Sequence, residues 1–258
     1  MSGLRRIDRT YRGKPTHHYE LDGQRVDGVT TLIGAGIPKP ALTYWSARTV
    51  AEYVVENLEQ IQTMLATGGI GPTTQFLKNV PWQQRDTAAV RGTDVHALAE
   101  QLVHGAEVDV PEHLAGHVEG YARWLDRSGA QPLLTECVVA SRTWRYAGTA
   151  DLILTDDLGV PRIADLKTSS GVYGETALQL AAYRHAEFYL DGDDERPVPP
   201  TDETGWVIHV TESGTEAYPV PVGERQWKAF LHAAEVARWA KTSKDLVGPP
   251  VRFSEEAA

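Results

Sequence analysis

Only one cysteine, Cys137, stands among 258 residues. That excludes an intramolecular disulfide, a Cys-rich zinc site and a four-thiolate iron–sulfur cluster, each of which needs several sulfurs. Long apolar runs are also missing. No stretch nears the ~18 apolar residues of a membrane span, so no membrane partner is expected. Arg5 and Arg6 near the N-terminus have no apolar run behind them, so no secretory signal is expected and the chain reads as cytoplasmic. Positive charge is in deficit, 25 Lys+Arg against 35 Asp+Glu, for a formal charge of −10. Such a chain does not coat nucleic acid by bulk charge, although a local basic groove stays open to it. No fixed-period repeat and no low-complexity tract is present.

What is there is ordinary globular material, 41% hydrophobic and 23% charged, in one large domain or two small ones. Residues 1–37 read as a β-rich entry around the turn signal Asp22-Gly23. Leu42 to Leu65 recur near helical spacing, and 67–83, rich in Gly, Pro and Thr, read as a loop. Helices are expected from about Asp86 to His104 and over Leu114–Leu125, the latter ending at Gly129. Short runs rich in Val, Ile, Leu and Thr then predict strands at 133–140, 145–155 and 160–167. A helix is expected from about Glu175 to Leu190, then an acidic, Pro-rich loop, strands at 206–211 and 216–220, and a closing helix near 223–243. This order implies an α/β (α+β) fold, a central mixed sheet flanked by helices. The expected division is a hairpin and helical region over 1–84 packed on a core over 85–258.

Asp165 and Lys167 are two apart on a predicted strand and share a face. The turn near Asp157 folds the preceding strand back, so that Asp151 lies within about one residue of Asp165. Two carboxylates and an ammonium on one patch suit a hard divalent cation, Mg²⁺ or Mn²⁺. A lysine beside such an ion can orient a water and ease its deprotonation. A lone Asp-x-Lys equally suits a surface ion pair at a hairpin end.

Four segments in order lift the first reading above the second. Arg91-Gly92-Thr93-Asp94-Val95-His96, Gly148-Thr149-Ala150-Asp151-Leu152-Ile153, Ile163-Ala164-Asp165-Leu166-Lys167 and Gln179-Leu180-Ala181-Ala182-Tyr183 together resemble the motifs of RecB-type exonucleases of the PD-(D/E)XK superfamily, phage-encoded members especially. Val29–Ile33 followed by Trp45 also resembles the opening of the phage members. The Pro-Asp of the superfamily's name is Ala164-Asp165 here, and the relatives' cluster-binding cysteines are missing. The resemblance implies a restriction-endonuclease-like core and a metal-dependent DNA exonuclease of DNA recombination, replication or repair. It implies Mg²⁺ or Mn²⁺, one or two ions, held by His96, Asp151, Asp165 and the main-chain carbonyl of Leu166. Asp151, Asp165 and Lys167 would be catalytic, with DNA contacts from Gln179, Tyr183 and Arg91. A recombination partner protein or a homo-oligomer is compatible with it. A structure-selective endonuclease and a non-catalytic recombination accessory protein are the rivals.

Other residues carry less. Glu136 lies one strand before Asp151 and is a further candidate ligand. Glu100 lies one turn beyond His96 on the same helical face. Cys137 is expected to be a small buried apolar residue. Arg5, Arg6, Arg9, Arg12 and Lys14, with His17 and His18, form the one basic stretch, suited to phosphate contact. Because clustered carboxylates repel, removing Asp151 or Asp165 is expected to leave the fold intact.

Overall fold

The computed structural model describes residues 3–11 and 14–251. Arg12 lies outside the described residues. The chain opens with strands β1 (Leu4–Tyr11), β2 (Lys14–Leu21) and β3 (Gln24–Gly28), and β2 turns into β3 through Asp22-Gly23, both at positive φ. Four helices follow: α1 (Val29–Gly36), α2 (Pro40–Glu56), α3 (Leu58–Gly68) and α4 (Ile70–Val103). After α5 (Ala115–Ser128) come β4 (Gln131–Ser141), β5 (Tyr146–Thr155) and β6 (Pro161–Lys167). The remainder is α6 (Glu175–Arg184), β7 (Phe188–Asp191), β8 (Asp194–Pro197), β9 (Thr204–Thr211), β10 (Gly214–Pro221) and α7 (Glu224–Thr242).

The strands form one mixed sheet with helices on both faces, an α+β architecture. On one face Val29, Leu32 and Ile33 of α1, Leu180 and Ala181 of α6, and Phe230 and Ala234 of α7 bury Val139, Ile153, Ile163 and Val207. On the other, Val95 and Ala99 of α4 with Val118 and Tyr121 of α5 cover Leu152, Leu154, Leu166, Ile208 and Val210. A third cluster seats Leu4, Tyr19, Leu21 and Val26 on Ala140, Ala147 and Phe188, which joins the first three strands to the rest.

Several expected elements differ. Residues 67–83 are helical, because Gly69 serves only as the break between α3 and α4. Pro72 sits in the first turn of α4, where a missing N–H matters least, although Pro81 lies inside the helix. The 29–36 segment is a helix rather than part of the β-rich entry. Its Gly36 is required by packing, since a Cβ there would lie 2.0 Å from the Ala233 carbonyl oxygen of α7. The helix from Glu175 stops at Arg184, and the end of the expected helix and the start of the expected acidic loop form the β7–β8 hairpin. Phe188 and Tyr189 of β7 pair with the free edge of β4.

One detail of topology positions the site. β4 runs along one edge of β5 from Gln131 to Ser141. The other edge is shared: β3 pairs only through Gly28↔Ala147, and β6 only from Leu152↔Ala164 onward. Residues 148–151 therefore face a notch where the two neighbouring strands part.

Candidate metal centre

Asp151 occupies that notch. Its Oδ2 accepts the Leu166 main-chain N–H at 2.8 Å, so the side chain fills the place of the ladder bond lost where β6 diverges. His96 Nδ1, carried on α4, lies 3.6 Å from the same oxygen. Glu136 stands opposite Asp151 in the β4–β5 register, between the pairs Thr135↔Leu152 and Cys137↔Ala150, at φ 45°. A non-glycine residue in the left-handed region of a strand is strained, and such strain gathers where a side chain must be re-aimed. One ligand atom each of His96, Glu136 and Asp151 lies within 4.8 Å of the others. Beside them opens a cavity of about 30 Å³, also lined by Glu100, Tyr121 and Leu166. That is room for at least one water molecule.

Asp165 is one step away and differently engaged. It is 1% exposed. Its Oδ1 accepts from Gln179 Nε2 at 2.6 Å, and its Oδ2 faces Lys167 Nζ at 2.5 Å. Gln179 also reaches the hydroxyl of the buried Tyr183 at 3.4 Å, which links the helix α6 pair to the acid. Space for Tyr183 exists because residue 148 is glycine: a Cβ there would lie 2.4 Å from Tyr183 Cε1.

The charges are mutually tuned. Burial, then Asp151, raises the Glu136 carboxyl to about 7, against a smaller lowering by His96. Burial and Asp151 also raise Asp165, opposed by Lys167. Burial disfavours the charge on Lys167, but Asp165 and Asp151 outweigh it and hold its pKa above the usual ammonium value. Cys137 is buried, and burial pushes its thiol up to about 12, which leaves it an inert packing residue.

No family model and no curated protein matches this chain. Among solved structures it is similar to one described as the crystal structure of SSO0001, at 18% identity and a TM-score of 0.28, covering 61% of this chain and 69% of that chain.

Of the expected residues, His96, Asp151 and Glu136 come together as a ligand group, and Asp165, Lys167, Gln179 and Tyr183 form a connected row next to it. Leu166 lines the cavity and gives its N–H to Asp151. Arg91 is exposed on α4 and pairs with none of the acids among the described residues; its charge acts on His117 of α5, whose pKa is lowered by burial first and by Arg91 second. Of the basic stretch, Arg6 reaches the notch: its Nη1 donates to Thr149 Oγ1 at 3.4 Å. Tyr19 and Thr149 were not singled out by sequence reasoning. The Tyr19 hydroxyl meets Thr149 Oγ1 at 2.9 Å across 130 residues of sequence, and only the β1–β2 register, in which Arg6 faces Tyr19, signals the arrangement. No helix of the described residues is long and apolar enough to cross a membrane.

Proposed function

We propose that the protein is a divalent-metal-dependent DNA exonuclease that hydrolyses phosphodiester bonds in DNA recombination, replication or repair. The observation that carries this reading is the convergence of His96, Glu136 and Asp151 on one small cavity beside the Asp165–Lys167 pair. The donor set fits a metal. One imidazole and two carboxylates suit a divalent first-row cation or Mg²⁺, and the imidazole tilts the choice toward Mn²⁺. The raised Glu136 carboxyl fits as well, because crowding with Asp151 is the repulsion that a cation relieves.

His96, Glu136 and Asp151 would hold the ion, with Asp165 and the Leu166 carbonyl as neighbouring candidates. When bound, the ion supplies charge against the phosphate and activates a water. The chain's own residues supply orientation. The Leu166 N–H fixes Asp151 against rotation. Gln179 holds Asp165 Oδ1 by a hydrogen bond, and Lys167 pairs with Oδ2 by charge. Lys167, held cationic by the two acids, is placed to orient the attacking water and to stabilise charge that develops in the transition state.

The test is digestion of 5′- and 3′-labelled linear DNA, single- and double-stranded, beside closed circular DNA, each with Mg²⁺, Mn²⁺ or EDTA. Loss of label from linear ends with metal, sparing of circles and silence in EDTA support the reading. Cutting of circles moves the assignment to an endonuclease, and inertness toward every substrate overturns it.

A further inference from the structure

The inner face of the β1–β2 hairpin changes character along its length. At one end Leu4 faces Leu21 and packs into the core with Tyr19 and Val26. Continuing outward on the same face, Arg6 stands opposite Tyr19 and Asp8 opposite His17. Tyr19 is 4% exposed. Its hydroxyl is shared between Thr149 Oγ1 at 2.9 Å and His17 Nε2 at 3.0 Å. Arg6 donates to Thr149 through Nη1 and to Asp8 Oδ1 through Nε, the latter at 3.1 Å. Arg5 and Arg9 have the opposite parity on the strand and are exposed.

The hairpin is braced in this pose at the end where Leu4 faces Leu21. Arg142 pairs with Asp22 at 3.0 Å and with Glu195 at 2.8 Å, and Glu195 also accepts the Leu4 N–H at 3.1 Å. Arg6, Tyr19 and Thr149 are thus held as a unit against the notch that contains Asp151. Thr149 and Asp151 are two residues apart on β5, about 7 Å along a strand. That is close to the step from one backbone phosphate to the next along a nucleic-acid strand.

We propose that Arg6, with Tyr19 and Thr149, is the seat of the DNA backbone phosphate one nucleotide along from the scissile one. The proposal rests on the nuclease reading above and adds to it a fixed register between the bound strand and the metal centre. Arg6 supplies the charge and a planar fork of donors, Thr149 supplies a hydroxyl donor that Tyr19 orients, and Asp8 competes with the phosphate for Arg6. Arg6 is a positioning residue, so it governs binding and register rather than the chemical step.

The experiment uses oligonucleotides carrying one neutral methylphosphonate at each linkage in turn. Affinity is read with Ca²⁺ replacing Mn²⁺, and the cut bond is mapped with Mn²⁺ on the unmodified strand. The parent should lose about tenfold affinity when the linkage next to the cut bond is neutral. Arg6→Gln should bind unmodified DNA about tenfold more weakly, lose nothing further at that linkage, and show a salt slope shallower by about 0.7–0.9. Its kcat at saturating DNA should stay within about threefold of the parent. Asp8→Asn should bind more tightly than the parent, a change of sign that a merely destabilised hairpin does not produce. If the parent cleaves DNA but Arg6→Gln responds to every linkage as the parent does, or Asp8→Asn binds no more tightly, the Arg6 assignment is overturned and the nuclease reading stands. If the parent cleaves no DNA, the reading beneath falls and this assignment falls with it.

Discussion

Asp151 Oδ2 and the main-chain amide of Leu166 meet at 2.8 Å across the notch where β5 and β6 separate. A carboxylate held by backbone is oriented before any cation arrives, and it also satisfies an N–H that the sheet leaves unpaired. Losing Asp151 therefore carries a stability cost that charge repulsion alone does not predict. Asp151→Ala should lower stability by about 1 kcal/mol through the stranded amide, whereas Asp151→Asn keeps an acceptor and should melt close to the parent. Both should lose cleavage by orders of magnitude. Thermal melts beside end-labelled digestion check this, and cleavage within about tenfold of the parent, ~1.4 kcal/mol, removes Asp151 from the mechanism.

Asp165 differs in kind, because both its oxygens are engaged in a buried position. Asp165→Ala should strand Lys167 and the Gln179 amide together, and breaking such a pair from one side costs roughly 3 kcal/mol. Asp165→Asn retains an acceptor for Gln179 and should recover part of that loss while remaining inactive. Denaturant melts of the two variants give the ranking. Equal stability of Asp165→Ala and the parent is the contrary result.

The hairpin that carries the acids was legible because its signals are local. Short runs rich in Val, Ile, Leu and Thr on either side of Asp156–Gly159 predict β5, β6 and the approach of Asp151 to Asp165. The two helical partners, His96 and Gln179, were placed by the motifs that the resemblance supplied. What stayed hidden depends on distant chain. Gly36 looks like a loop residue until α7 is known to press on it, and Phe188-Tyr189 look helical until β4 offers a free edge. The 67–83 segment misled because its glycines and prolines sit at a helix junction and a first turn, where they do little harm, Pro81 apart. Glu136 could be placed near Asp151 by counting strands, but its left-handed backbone could not be read from composition.

On the nuclease reading, Lys167 should divide turnover from affinity. Its ammonium is held cationic by Asp165 and Asp151 against the pull of burial, so its contribution falls on charge that appears during reaction. Lys167→Ala should lower kcat by two orders of magnitude or more and change DNA affinity less than tenfold. Lys167→Arg should not restore kcat, because a planar guanidinium does not fit the point-charge position that Asp165 Oδ2 defines. Single-turnover rates beside equilibrium binding separate the two effects. A kcat near that of the parent in either variant takes Lys167 out of the chemistry.

Glu136 predicts how stability responds to pH and metal. Burial and then Asp151 push its carboxyl up to about 7 in the folded chain, from an ordinary value of 4.5. Between these values the folded chain holds a proton that the unfolded chain has released, so stability falls as pH rises through that window. Below the window both states are protonated, and above it the loss is complete. Asp165, raised in the same direction, adds to the same slope. Metal-free protein should therefore lose thermal midpoint between pH 5 and 7.5. Glu136→Gln should flatten part of this fall and melt above the parent at pH 8, by roughly 1–2 kcal/mol for a group in a partly open cleft. Because a bound cation needs the deprotonated carboxylates, stabilisation of the parent by Mn²⁺ should grow across the same window, and Glu136→Gln should show less of it. Melting curves over pH 4.5–8.5 with Mn²⁺ or EDTA measure both trends. Parent and Glu136→Gln profiles that superimpose in EDTA would place Glu136 outside the charge cluster, and an unchanged Mn²⁺ response would remove it from the ligand group.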